Sequence, residues 1–278
     1  EEAPPEEPED DTDYVEVLFL GDSLFAQGRE DGTDIASVVE YTVKGEECKV
    51  YNLAIGGSAA ALKDDEKGMS LDNWTSSSFL GMAYLIAGKV GTSDFEQYHP
   101  EIMKRFHEMD KDKLDFIIID YGVNDFLSGS KIGAYDPDNT NPDYSYFVNA
   151  YSMALDTLRD ACPQATILAC TPCYSEFYGP DGAYLGDGNT VFNGYGNLAN
   201  YVGLVEYCVS QSEGVIYMDM YHGERMNLDA YTTGDYLLDG IHLTERGRRV
   251  YGAALGQAIN RLRGVPEAEY AVLDIDNY

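Results

Sequence analysis

A chain of 278 residues suffices for one large domain or two small ones. Its balance of 44% hydrophobic and 24% charged residues is that of a globular protein and excludes wholesale disorder. Forty-nine acidic residues against 18 basic ones give a formal net charge of −31, which repels nucleic-acid phosphates and anionic headgroups, so neither is an expected partner.

The first 13 residues, EEAPPEEPEDDTD, cannot bury apolar surface. They read as a solvated linker of the kind that follows a removed signal peptide or a lipid-anchored cysteine, which favours a secreted or cell-surface bacterial protein. The folded domain is expected over residues 14–263. Residues 264–278 again carry proline and acidic residues and read as a tail or linker, with attached modules possible beyond either end.

Five short β-branched or apolar runs punctuate that domain, at residues 15–20, 48–53, 114–120, 166–170 and 215–218. Amphipathic stretches lie between them, among them 102–109, 146–159 and 198–210, and a closing helix ends before Gly264. Strands alternating with helices imply right-handed βαβ crossovers and a mostly parallel sheet of about five strands, a three-layer α/β/α sandwich. Ligands of such sheets bind beyond the carboxyl ends of the strands. The connection 58–100 is oversized and apolar in its middle, but its apolar run over 79–87 is half of what a membrane span of about 18 residues needs. Residues 136–146 and 174–196 are rich in Asp, Asn, Gly and Tyr without helical or strand period, and read as loops rimming a site.

Chemistry-bearing residues collect at the predicted strand ends. The first strand runs into Gly21-Asp22-Ser23-Leu24, placing a serine between strand and helix on the ligand edge. The second ends in a turn with Gly56 and Gly57, where a backbone N–H can approach a substrate closely. The third leads to Gly122-Val123-Asn124-Asp125, whose Asn124 amide can donate to an oxyanion. Near the C-terminus Asp239 and His242 stand three positions apart in a turn before the last helix, so the carboxylate can hold one ring nitrogen while the other faces a hydroxyl.

In this order and context the blocks resemble the SGNH/GDSL hydrolase superfamily over nearly the whole chain, from residue 15 to about 262. The resemblance implies a flavodoxin-like fold and a serine esterase with Ser23, His242 and Asp239 as triad. It also implies an oxyanion hole from the Ser23 and Gly57 backbones and the Asn124 side chain, with neither metal nor organic cofactor. The 58–100 connection is longer than the family's usual one, which weakens substrate inference by analogy.

Blander roles compete at several positions. Serine at a helix start is often only a cap. Asp219 and His222 repeat the spacing of Asp239 and His242, but His242 alone is followed by Leu-Thr-x-x-Gly opening the final helix, as the family pattern has it. Cys170 and Cys173 have redox or zinc spacing without a second pair, so small core residues at a strand end are the simpler reading. Residues 136–143 are rich in oxygen ligands but lack the glycine of a calcium loop. Asp22, Tyr135, Tyr174 and Tyr178 are candidate substrate contacts, the tyrosines because such rings stack on sugars.

The expected substrate is an acylated carbohydrate or other small ester, most simply an O-acetyl polysaccharide. The alternatives are an O-acetyltransferase acting on a cell-envelope glycan, a non-catalytic glycan-binding surface module and a short-chain lipase or lysophospholipase. No broad apolar lid or basic membrane-facing segment supports the last.

Overall fold

Val17, Leu18, Phe19 and Leu20 are all fully buried, which a strand achieves only when both of its faces are covered. In the computed structural model, which describes residues 14–133, 142–223 and 225–266, they form β1 (Tyr14–Gly21). It is flanked by β2 (Glu47–Asn52) and β3 (Phe116–Asp120), and β4 (Thr166–Cys170) pairs with β3. A small antiparallel hairpin, β5 (Glu176–Tyr178) and β6 (Tyr184–Asp187), follows β4, and β7 (Val215–Met218) completes the main sheet.

The five main strands are parallel in the order β2-β1-β3-β4-β7. Leu18 sits opposite Tyr51 on one side and Ile117 on the other, and the register continues through Ile167 to Val215. This is the flavodoxin-like order, whose topological switch point lies between β1 and β3.

Ten helices are assigned among the described residues. They are α1 (Ser23–Ala26), α2 (Ile35–Thr42), α3 (Phe79–Ile86), α4 (Ser93–Tyr98), α5 (Pro100–Glu108), α6 (Val123–Ser128), α7 (Phe147–Ala161), α8 (Leu198–Ser210), α9 (Thr233–Tyr236) and α10 (Glu245–Leu262). The central sheet is flanked by them, with α2 packed on α10 and α3, α7 and α8 forming a second group. The strands predicted at 166–170 and 215–218 and the helix at 198–210 have their expected bounds. Among the described residues no helix is long and apolar enough to cross a membrane.

The oversized connection proves to contain a core element. The α3 helix is apolar on nearly every side, and Phe79 lies 5.0 Å from the rings of both Tyr121 and Tyr151. Burying a side chain of this size stabilises the fold by roughly 1.5–3 kcal/mol. The Asp125 carboxylate fastens the start of the same connection by accepting the Ala60 and Ala61 N–H groups at 2.7 and 3.0 Å.

The 174–196 segment departs from its reading as an irregular loop. It carries the β5–β6 hairpin, which the Glu176 N–H ties to the Gly240 carbonyl at 2.8 Å. Gly240 has φ +89°, and a Cβ there would collide with the Glu176 carbonyl oxygen. The five cysteines are free thiols, and Cys170 and Cys173 are fully packed at the end of β4. Among the described residues no group of three or more His, Cys, Asp or Glu is placed to hold a metal. Residues 136–141 of the oxygen-rich run lie outside the described residues, as do Tyr135 and the segments 1–13 and 267–278.

Candidate active site

The carboxyl ends of β1, β2 and β3 meet at the switch point, and each delivers one block of candidate residues. Beyond β1, Asp22 caps α1 by accepting the Leu24 N–H at 2.9 Å. Capping therefore belongs to Asp22, and the Ser23 hydroxyl is left for other work. Ser23 is the first residue of α1, where an N–H has no acceptor in its own helix.

The histidine arrives from the far end of the chain. Leu237 and Leu243 pair as an antiparallel bridge, and the Leu238 N–H donates to the His242 carbonyl at 2.8 Å, closing the loop between them. Inside it Asp239 Oδ1 accepts the Ile241 and His242 N–H groups at 3.1 and 2.8 Å, while Oδ2 lies 2.7 Å from His242 Nδ1. His242 Nε2 then lies 2.9 Å from Ser23 Oγ. With its proton on Nδ1 beside the carboxylate, the ring presents a lone pair to the serine hydroxyl. Arg248, buried at the start of α10, spans the two ends of the chain by donating to the Leu243 carbonyl at 3.0 Å and the Thr33 carbonyl at 2.8 Å.

The rival pair has the same local geometry without the hydroxyl. Asp219 Oδ2 lies 2.7 Å from His222 Nδ1, but that imidazole is 59% exposed. Among the described residues no hydroxyl lies on its Nε2.

A family model described as a GDSL-like lipase/acylhydrolase matches residues 17–255. The chain belongs to this GDSL family. It is an ester hydrolase of the SGNH type. No curated protein matches it significantly. A possible lipase from Chitinophaga pinensis is similar in structure, with 15% identity, a TM-score of 0.56, and coverage of 90% of this chain and 99% of that one. A family two carbohydrate esterase from Cellvibrio japonicus has 18% identity and a TM-score of 0.51 over 90% of this chain and 62% of that one. A salicylyl-acyltransferase of a tetracycline biosynthetic pathway has 13% identity and a TM-score of 0.51 over 92% of this chain and 56% of that one. At these identities the likeness shows a common fold.

Other blocks of the GDSL site are placed less simply. Asn124 lies at the start of α6, and its Nδ2 donates to Asp22 Oδ2 at 3.0 Å and to the Ser58 carbonyl at 2.9 Å, so both amide hydrogens are engaged. Gly57 is exposed, with open space where a side chain would stand. Gly56 is the glycine against the serine: a Cβ there would lie 3.8 Å from Ser23 Cβ. Asp22, read from sequence as a substrate contact, is fully buried, with its oxygens turned to Leu24 and Asn124. Tyr174 is also buried, its hydroxyl donating to Asp187 at 2.7 Å, whereas Tyr178 is exposed and pairs edge-to-face with Tyr184.

The burial of three carboxyls beneath the site was missed from sequence, where Asp22 reads as a substrate contact and Asp120 and Asp125 as strand-end and turn residues. Burial pushes Asp22 up to about 7 and Asp125 to about 6, and holds Asp120 well above the usual carboxylate range. Asp239 goes the other way: burial raises it, but hydrogen bonds from the His242 backbone and ring outweigh that and hold it below the usual range.

A carboxyl whose pKa is higher folded than unfolded favours folding most below about pH 4, and that contribution fades as pH rises through its folded pKa. For Asp125 the displacement of roughly two units corresponds to about 3 kcal/mol in full, of which about half, or about 3–6 °C in Tm for a domain of this size, falls between pH 8 and 5. Thermal melts in 0.5 M NaCl, which screens surface repulsion, should therefore show Tm rising as pH falls from 8 to 5. A flat or inverted profile would contradict it.

Proposed function

We propose that the protein removes small acyl groups, acetyl foremost, from carbohydrate hydroxyls through a Ser23 acyl-enzyme. The observation that carries this reading is the continuous path from Asp239 Oδ2 through His242 to Ser23 Oγ, with steps of 2.7 and 2.9 Å. His242 Nε2 takes the serine proton as Oγ bonds to the ester carbonyl carbon. Asp239 holds the ring orientation and stabilises the imidazolium. The tetrahedral oxyanion collapses, the proton passes from His242 to the departing sugar oxygen, and water attacks the acyl-enzyme by the reverse route.

The Ser23 and Gly57 N–H groups and Asn124 Nδ2 are the oxyanion donors in this scheme. Asn124 must then exchange one of its present acceptors, the Ser58 carbonyl or Asp22, for the oxyanion. Asn124→Ala is expected to lower kcat by on the order of 10²–10³ with little change in KM, as loss of an oxyanion donor does. Steady-state kinetics on 4-nitrophenyl acetate would check this; a change in KM alone would assign Asn124 to binding.

A sugar substrate is supported by the surroundings of the triad. A cavity of about 340 Å³ adjoins Asp239 and is lined by Glu176, Tyr178, Thr233, Leu237 and Leu238. The exposed Tyr178–Tyr184 pair beside it offers ring faces to a pyranose. A carbohydrate esterase shares the fold. A polysaccharide substrate also favours a place outside the cell or on its surface, in keeping with the acidic N-terminal run.

The fold is equally that of an acyltransferase, and a site open enough to admit water can admit a second sugar hydroxyl. Incubation with acetylated polysaccharides, reading free acetate against acetyl transferred to an added oligosaccharide, tests both. Acetate release lost in Ser23→Ala supports the esterase; transfer exceeding release supports the second reading. Glycan affinity without either activity would sink both.

A further inference from the structure

A second cavity, of about 260 Å³, opens on the other side of the site. Its wall begins at Ala59, next to the Ser58 carbonyl that Asn124 holds, and includes Ser128, whose hydroxyl donates to the Asn124 carbonyl at 2.7 Å. The cavity is thus contiguous with the candidate oxyanion donor rather than remote from it. Lys63, Lys131, Ser130 and Tyr195 complete the part used here.

Its charge runs against the rest of the molecule. In a chain with 49 acidic and 18 basic residues, this lining holds two lysines and one carboxylate, Asp64. Asp64 is already taken by Lys67, which lies outside the lining at 2.8 Å. Among the described residues neither Lys63 nor Lys131 has a carboxylate within ion-pair distance, although acidic groups are abundant. Both stand on fixed backbone. The Lys63 N–H donates to Glu66 Oε2 at 2.7 Å, and the Lys131 carbonyl accepts the Phe147 N–H at 2.8 Å. The Lys131 ammonium lies 5.3 Å from the centre of the Tyr146 ring, which holds its stem without neutralising it.

We infer that this cavity is a subsite for the carboxylate of a uronic acid, so that the preferred substrate is an acylated glycan bearing uronate residues near the ester. The inference rests on the carbohydrate-esterase reading above and narrows its substrate. Lys63 and Lys131 supply the charge, while the Ser128 and Ser130 hydroxyls, their protons committed to the Asn124 carbonyl and to Asp125, accept hydrogen bonds from the sugar's hydroxyls. The Tyr195 ring, 48% exposed, supplies a face for the sugar. The rest of the strongly acidic surface repels the same polymer, which makes the cationic cavity the selective point of contact.

The test compares acetate release from O-acetylated oligogalacturonides and from O-acetylated xylo-oligosaccharides by the wild type and by Lys63→Ala/Lys131→Ala. With 4-nitrophenyl acetate as substrate, unacetylated oligogalacturonate and a sulfated oligogalactan are also tried as inhibitors. The wild type should prefer the uronate substrate, and the double variant should lose about 5- to 10-fold of that preference, as should the wild type in 0.5 M NaCl. Hydrolysis of 4-nitrophenyl acetate should stay unchanged. Competitive inhibition by oligogalacturonate, absent in the variant, supports the subsite even if no acetylated glycan is cleaved, in which case the esterase reading alone fails. An ammonium reads charge rather than shape, so inhibition by both anions is consistent with the subsite, whereas inhibition by the sulfate alone overturns the uronate assignment. Equal rates on both glycans with no inhibition, or an unaltered preference in the variant, overturns the inference.

Discussion

Ser23→Ala should lower kcat for 4-nitrophenyl acetate by on the order of 10⁴–10⁶ while leaving the fold intact. The size follows from removing the atom that forms the acyl bond, since His242 and Asp239 then have no proton to take. The intact fold follows from the division of labour at the head of α1: Asp22, not Ser23, caps the helix through the Leu24 N–H at 2.9 Å. Replacing one half-buried hydroxyl there should move Tm by no more than about 1–2 °C, within the range of neutral substitutions. Two measurements decide the matter, a rate assay sensitive to residual turnover and a thermal melt. A variant that keeps a tenth of the activity would remove Ser23 from the chemistry, and one that melts far lower would give it a structural role.

Asp239→Asn is the second large effect, expected at about 10³–10⁴ in kcat. Asp239 Oδ1 holds the loop through the Ile241 and His242 N–H groups, so the substituted oxygen can stay where it is. The new amide then faces His242 Nδ1 at the place of Oδ2 and donates to it. That drives the ring proton to Nε2, where it blocks acceptance from the serine hydroxyl. Position is kept and the tautomer is lost. The matching change at Asp219 is the internal comparison, because Asp219 and His222 have the same 2.7 Å contact with no serine beyond it. Asp219→Asn should leave kcat within about twofold, as expected for a surface pair remote from the reaction. Equal losses from the two substitutions would refute the assignment of the base.

Much of this arrangement was legible from the chain because parallel strands have a strong signature. The runs behind β3 and β4 are continuous and apolar and that behind β1 is broken only by Glu16; β1 leads into the turn carrying Ser23 and β3 into that carrying Asn124. Once the strands are parallel, those turns must share an edge, which brings the serine and the asparagine to the same end of the sheet. His242 needed the family pattern, because local spacing alone fits His222 equally well.

What escaped the sequence depended on long-range contact. The β5–β6 hairpin has strands of three and four residues, too short to show a period, and leans on Gly240 more than 60 positions away. Helix α3 hides its period because nearly every face is buried among Tyr121, Tyr151 and the sheet. The double engagement of Asn124 could not be read either, since one acceptor comes from the β1 turn and the other from the β2 turn.

The docking of α10 on α2 has a consequence for how activity arises during synthesis. Gly252 and Gly256 let α10 come so close that a methyl at either would fall within 2.7 Å of Val38 or Thr42. This contact seats the late histidine against a serine 219 positions earlier. On the proposed mechanism, a growing polypeptide carries Ser23 through synthesis of nearly the whole domain before His242 can join it. On that mechanism turnover begins only when α10 has closed onto α2, so enzymatic rate doubles as a gauge of domains whose two ends have met.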